Sequence, residues 1–260
     1  MRKRGLYWET FGQGDDLVLV HGWGMHSGVW RDFVETLAQK VRVTVVDLPG
    51  HGRSGDVGDF SLTNLADVLL TIAPEHAHWL GWSLGALPVL HIADRCPSRA
   101  KSVIIMAGNA RFVAENDWPG VDPALLAQFA SDLEGNYEGT IRRFLGLQTF
   151  GMENSRLLVK ELAARVTECE PPDQAALRGG LSLLRHADLR DALRRLTIPS
   201  LVILGARDRL VPKAAGASMQ ALNFRSELHV IDGAAHLPFI THPAETASLV
   251  TNFIARHDGR

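Results

Sequence analysis

The stretch His78-Trp79-Leu80-Gly81-Trp82-Ser83-Leu84-Gly85-Ala86-Leu87-Pro88-Val89-Leu90 decides the fold. A short apolar β-type run over residues 78–80 enters Gly-x-Ser-x-Gly, and a nearly all-apolar helical run over residues 84–93 leaves it. The order is strand, sharp turn, helix. At such an elbow the serine takes a strained backbone conformation, and Gly81 and Gly85 remove the Cβ atoms that would collide as strand and helix close on each other. Ser83 is expected at the tip, exposed, at a helix N-terminus whose dipole and free amides favour the anion that acyl transfer generates. Pro88 leaves the Leu84 carbonyl without an amide partner, so a tilted first turn is expected.

Outward from the elbow, residues 6–11, 17–21 and 41–47 read as strands, and the last two are continuous Val/Leu runs of the kind buried on both faces of a parallel sheet. Residues 27–39 carry Val29, Trp30, Phe33, Val34 and Leu37 at helical spacing, which gives a β-α-β unit. Ser61 is placed to cap a helix with Leu62, Leu65, Leu69 and Ile72 on one face, and Phe60 to staple onto Leu65. Strands are predicted at 77–80, 102–106, 200–204 and 227–231, and a last helix from Pro243. The alternation implies a mostly parallel, doubly wound α/β sheet. Between two strands, residues 109–186 hold only helical runs, at 123–133, 137–147, 155–166 and 173–185. This insertion is expected to lie over the strand C-terminal edge as a lid, with 1–108 and 187–260 forming one discontinuous core.

Composition narrows the class. The 260 residues are 46% hydrophobic and 22% charged, with a formal net charge of -2, so no global basic field points to nucleic acid. No run reaches a membrane span, and Leu6-Tyr7-Trp8-Glu9-Thr10 behind the basic Met1-Arg2-Lys3-Arg4 is too short and polar for a signal peptide. Cys96 and Cys169 show no metal or redox spacing. A cytoplasmic monomer is expected, with no nucleic-acid or membrane partner.

A serine needs an oriented base and an acid to become a nucleophile. His236, in a flexible loop after the last strand, is the best placed of the histidines; His242 precedes a helix start, and His21 reads as a structural turn residue. Asp208 follows the strand between Ser83 and His236, the position the acid should take; its neighbours Arg207 and Arg209 allow a surface ion-pair cluster instead. Asp188 and Asp191 read as caps or solvated charges of a basic helix. The oxyanion hole requires two main-chain N–H donors: Leu84, after the nucleophile, and Trp23, in the loop after the third strand of the expected fold.

Val20-His21-Gly22-Trp23-Gly24, Asp47-Leu48-Pro49-Gly50-His51-Gly52-Arg53-Ser54, the Ser83 elbow and the Asp208 and His236 loops together resemble the α/β-hydrolase superfamily over the whole chain. Asp117-Trp118-Pro119-Gly120, Arg143-Phe144-Leu145-x-Leu147-Gln148-Thr149 and Ala235-His236-x-Pro238-Phe239-Ile240-x-His242-Pro243 narrow the resemblance to the pimeloyl-[acyl-carrier protein] methyl ester esterases of biotin synthesis. That resemblance implies a Ser83–His236–Asp208 triad; an acyl pocket of Trp23, Ser83, Leu84, Phe144, Leu145, Gly146, Leu147, Gln148 and His236; and demethylation of an acyl chain held on acyl-carrier protein, with no metal or organic cofactor. Other readings are a broad short-chain esterase, thioesterase or C–C hydrolase on the same triad, and a non-catalytic receptor on the same fold. The carrier is acidic, so Arg142, Arg143, Arg156 and Lys160 are candidates for docking it. Glu138, Glu153 and Glu161 dilute that patch, Gly139 and Lys160 depart from the arginines of the family pattern, and a solvated helical face fits the same residues.

Overall fold

The continuous apolar runs form the middle of a seven-stranded sheet in the order β1-β3-β2-β4-β5-β6-β7, all parallel except β1. The structure, a computed structural model, describes residues 5–55 and 58–257, so the basic start at 1–4 lies outside the described residues. Strands β1 (Tyr7–Phe11), β2 (Asp16–Val20) and β3 (Arg42–Asp47) come first, with α1 (Arg31–Leu37) crossing between β2 and β3. Then come α2 (Leu62–Ile72), β4 (Ala77–Trp82), α3 (Ala86–Arg95) and β5 (Ala100–Met106). In register, Leu19 lies between Val45 and Leu80, and Leu80 pairs with Ile104. These central strands are buried on both faces, whereas the edge strand β1 keeps Trp8 and Glu9 exposed, which is why only the central runs are continuously apolar.

Four helices separate β5 from the next strand: α4 (Pro123–Gly135), α5 (Tyr137–Gln148), α6 (Ser155–Val166) and α7 (Gln174–His186). They match the four helical runs of the insertion to within about two residues at each end. The expectation of no strand-like pairing there needs one correction: Val113 bridges Val121 and Glu115 bridges Trp118, within a short segment that Trp118 Nε1 closes by donating to the Arg111 carbonyl (2.8 Å). The chain ends with α8 (Arg190–Arg195), β6 (Ser200–Gly205), α9 (Lys213–Leu222), β7 (Ser226–Ile231), α10 (Pro238–Thr241) and α11 (Pro243–His257). No helix among the described residues is long and apolar enough to cross a membrane.

Ser61 caps α2, its Oγ accepting from the Asn64 N–H at 3.3 Å. The contacts seen for Phe60 are with the His51 ring and with Gly179 of α7. After the elbow the helix begins later than expected. Residues Ser83–Gly85 form one 3-10 turn, α3 starts at Ala86, and the Ala86 N–H points to the Ser83 and Leu84 carbonyls. Pro88 therefore sits in the first turn of α3, where an amide has no intrahelical acceptor, and the proline costs no hydrogen bond.

Candidate active site

The loops after β2, β4, β6 and β7 all leave the same edge of the sheet and supply the candidate residues. Ser83, at the end of β4, has φ 54°, a left-handed conformation that costs a non-glycine residue about 1–3 kcal/mol. Close packing holds it there. A Cβ on Gly81 would run into the backbone of Gly85 and Ala86, and one on Gly85 into the carbonyls of Val20 and His21. Gly81 thus serves the strand-to-turn closure, while Gly85 lets the turn approach β2.

Ser83 Oγ lies 2.8 Å from His236 Nε2, and His236 Nδ1 lies 2.8 Å from Asp208 Oδ2. Asp208 is oriented from below: its Oδ1 accepts the Leu210 and Val211 N–H groups at 2.8 and 3.0 Å. The carboxylate therefore fixes the imidazole so that Nδ1–H faces it and Nε2 can accept the serine proton. The ion-pair alternative for Asp208 is corrected, because its carboxylate turns inward and forms no pair with Arg207 or Arg209 among the described residues.

One expectation about this site is overturned. Ser83 is not exposed but 2% accessible, because the insertion and the β2 loop cover it: Gly180 of α7 lies against Leu84 and Trp23, and Gly22 lies against Ser83 itself. The His236 loop is tied to its surroundings. Its main-chain N–H donates to the Gln148 carbonyl (3.2 Å), its carbonyl accepts from Trp82 Nε1 (2.9 Å), and its side chain is fully buried.

The β2 loop makes a turn closed by Met25 N–H to the Gly22 carbonyl (3.3 Å), with Gly24 at φ +69°. Trp23 is the second residue of that turn, so its own N–H takes no part in closing it. Leu84 is in the 3-10 turn, whose leading amides lack intrahelical acceptors. Leu84 follows Ser83 in the chain, and Trp23 follows Gly22, which lies against Ser83. The loop follows the second strand of this sheet, not the third, because the sheet begins one strand later than the pattern assumed.

His21 braces the loop: Nδ1–H donates to the Gly22 carbonyl (2.8 Å) and Nε2 accepts the Leu48 N–H (2.9 Å). Burial, reinforced by the His51 ring 5.4 Å away, pushes the His21 imidazole down to about 3, and burial pushes His51 down to about 4. Both rings are neutral at neutral pH. Asp47, which the sequence reading left without a role, ties the neighbouring loops by accepting from Ser27 N–H (2.6 Å) and Arg53 N–H (2.7 Å); its place at the end of a buried strand was the available signal.

The walls are apolar. Trp23 is fully buried, packs edge-on against Phe144 (4.9 Å between ring centres), and donates Nε1–H to the Leu177 carbonyl (2.8 Å). Leu84, Phe144, Leu145 and Gln148 are also buried, while Gly146 and Leu147 are half-buried. Neither polar atom of the Gln148 amide has a hydrogen-bond partner among the described residues. Of the four candidate docking cations all are exposed: Arg143 pairs with Asp132, whereas Arg142, Arg156 and Lys160 form no ion pair among the described residues. Arg165, near the end of α6, clamps that helix to α1 through Asp32 at 2.5 Å.

A model of the alpha/beta hydrolase family matches residues 17–249. The chain is 46% identical over 251 residues to a pimeloyl-[acyl-carrier protein] methyl ester esterase of Methylococcus capsulatus, covering 96% of this chain and 99% of that protein. A protein of the same name from Yersinia pseudotuberculosis is 43% identical over 95% of this chain and 96% of its own length. Among solved structures, an esterase from Exiguobacterium antarcticum superposes with a TM-score of 0.87 at 20% identity, covering 96% of this chain and 95% of that one, a likeness of fold. The chain belongs to the alpha/beta hydrolase family and, within it, to the pimeloyl-[acyl-carrier protein] methyl ester esterases.

Proposed function

We propose that this protein hydrolyses the methyl ester of pimeloyl-[acyl-carrier protein] methyl ester, giving the free acid on its carrier and methanol, in biotin biosynthesis. It is a carboxylic ester hydrolase. The observation that carries the reading is the 46% identity to an esterase of that name over nearly the full length of both chains.

The geometry supports the following course. Ser83 Oγ attacks the ester carbonyl while His236 Nε2 takes its proton; the carbonyl oxygen, now negative, is held by the Trp23 and Leu84 N–H groups. The tetrahedral intermediate collapses, the C–O bond to the methoxy group breaks, and His236 returns the proton to the departing methanol. Water then attacks the acyl-serine with His236 again as base, releasing the acid and restoring Ser83. The acyl chain lies along Trp23, Leu84, Phe144, Leu145, Gly146 and Leu147, and the Gln148 amide supplies a polar contact. Helices α4 to α7 act as the lid over 1–108 and 187–260. The exposed cations of α5 and α6, Arg142, Arg143, Arg156 and Lys160, receive the acidic carrier. A cytoplasmic monomer that uses no metal or organic cofactor completes the proposal.

The test is kcat/KM for the carrier-bound methyl ester against a free short-chain methyl ester, at low and high salt. The expected result is a strong preference for the carrier-bound ester that shrinks as salt screens the docking charges. Equal rates at both salts would leave a general serine esterase.

A further inference from the structure

The loop that holds the triad acid also builds a cleft of about 550 Å³ on its outer side. One wall is Arg207, Arg209 and Lys213; the other is Phe150 and Gly151, the connector between α5 and α6. All three cations are exposed and none is in an ion pair among the described residues. Elsewhere on the surface Arg31, Arg95 and Arg195 are paired, with Glu168, Asp67 and Asp94; the cleft cations share their unpaired state among the described residues with Arg142, Arg156 and Lys160 of the insertion. The one carboxylate lining the cleft belongs to Asp208, which spends one oxygen on His236 and the other on two main-chain N–H groups. Three positive charges thus face one inward-turned negative charge.

The cations are tied to the insertion without being used up by it. Arg207 gives one N–H to the Gly151 carbonyl (3.2 Å), and the Arg209 guanidinium lies over the Phe150 ring, 4.9 Å from its centre. A guanidinium has five N–H donors, and one resting on an aromatic face keeps its edge donors for an anion. Phe150 is half exposed, so the cleft joins a cationic wall to an apolar one. The connector that closes it leads directly into α6, which carries Arg156 and Lys160.

We propose that this cleft extends the docking surface past the lid: Arg207, Arg209 and Lys213 receive acidic side chains of the acyl-carrier protein, at the loop that holds Asp208. The inference rests on the reading given under Proposed function. Docking on the lid alone would leave the carrier free to pivot; a second contact on the core fixes lid and core to one partner.

The test uses the full-length enzyme and two variants, Arg209→Gln and Lys213→Glu, with kcat/KM measured on the carrier-bound and the free methyl ester. Lys213 is five residues from Asp208, so it reports the cleft without touching the acid. The expected result is a loss of about tenfold on the carrier-bound ester in Lys213→Glu, a smaller loss in Arg209→Gln, a flatter salt dependence in both, and losses confined to that ester. Equal losses on both esters would mean that the substitutions act through Asp208, and unchanged rates on both would mean that the cleft meets no partner; each overturns the inference. A wild type with no carrier preference at all would overturn the parent reading, and this one with it.

Discussion

The main-chain N–H of His236 donates to the carbonyl of Gln148, the last residue of α5, so the loop of the base hangs from the insertion. The Gln148 side chain, in contrast, is 1% exposed with both amide atoms unpartnered among the described residues. A buried, unpaired amide costs about 1–3 kcal/mol. Gln148→Leu should therefore raise stability, by up to about 2 kcal/mol in urea unfolding, while lowering kcat/KM on the ester that the amide contacts. A variant with lower stability and full activity would show that the amide is satisfied in the native state and does not meet substrate.

Trp82 links three parts of the site. It adjoins Ser83, donates to the His236 carbonyl at 2.9 Å, and lies where a Cβ on Gly22 would be 3.1 Å from its ring. Trp82→Phe keeps a ring and removes the donor. A lost hydrogen bond of ordinary net worth, about 0.5–1.5 kcal/mol, predicts a kcat several-fold lower with KM little changed. A raised KM at unchanged kcat would place Trp82 in binding instead of in positioning the base.

Asp208→Asn retains an oxygen for the Leu210 and Val211 N–H groups and loses the charge facing His236. By analogy with other serine triads, kcat should fall by about 10⁴-fold with the fold intact by circular dichroism. A loss under tenfold would remove Asp208 from the triad.

Acid should destabilise the protein through His21 and His51. Their folded-state values, about 3 and about 4, lie below the ordinary 6.5 because burial disfavours the charged rings. Below 6.5 the unfolded chain takes up protons that the folded one refuses. The stabilisation is thus complete above that pH and drains away as pH falls toward 4, at about 1.4 kcal/mol per unit for each histidine. Urea midpoints at pH 7.5 and 5 test this, and His51→Gln should flatten the slope. A pH-independent midpoint would contradict it.

The site was legible where its causes are local or topological. Gly81, Ser83 and Gly85 announce the elbow because steric closure admits few residues there, and His236 and Asp208 follow from chain order around a parallel sheet. The insertion's helices were readable from their own periodicity. Helix α9, Lys213–Leu222, was not: its sequence KAAGASMQAL is mostly small residues, and Gly216 lets it pack closely against Leu204 and Leu228. The burial of Ser83 and the pairing of Arg165 with Asp32 depend on where the insertion lands on the core, which no local pattern encodes.

Methanol release from the carrier-bound methyl ester by wild type and by Ser83→Ala tests whether Ser83 is the nucleophile. The expected result is a fall in kcat of at least about 10⁴-fold in Ser83→Ala, with the folded structure retained. Turnover within tenfold of wild type would contradict it, since another group would then be attacking the ester.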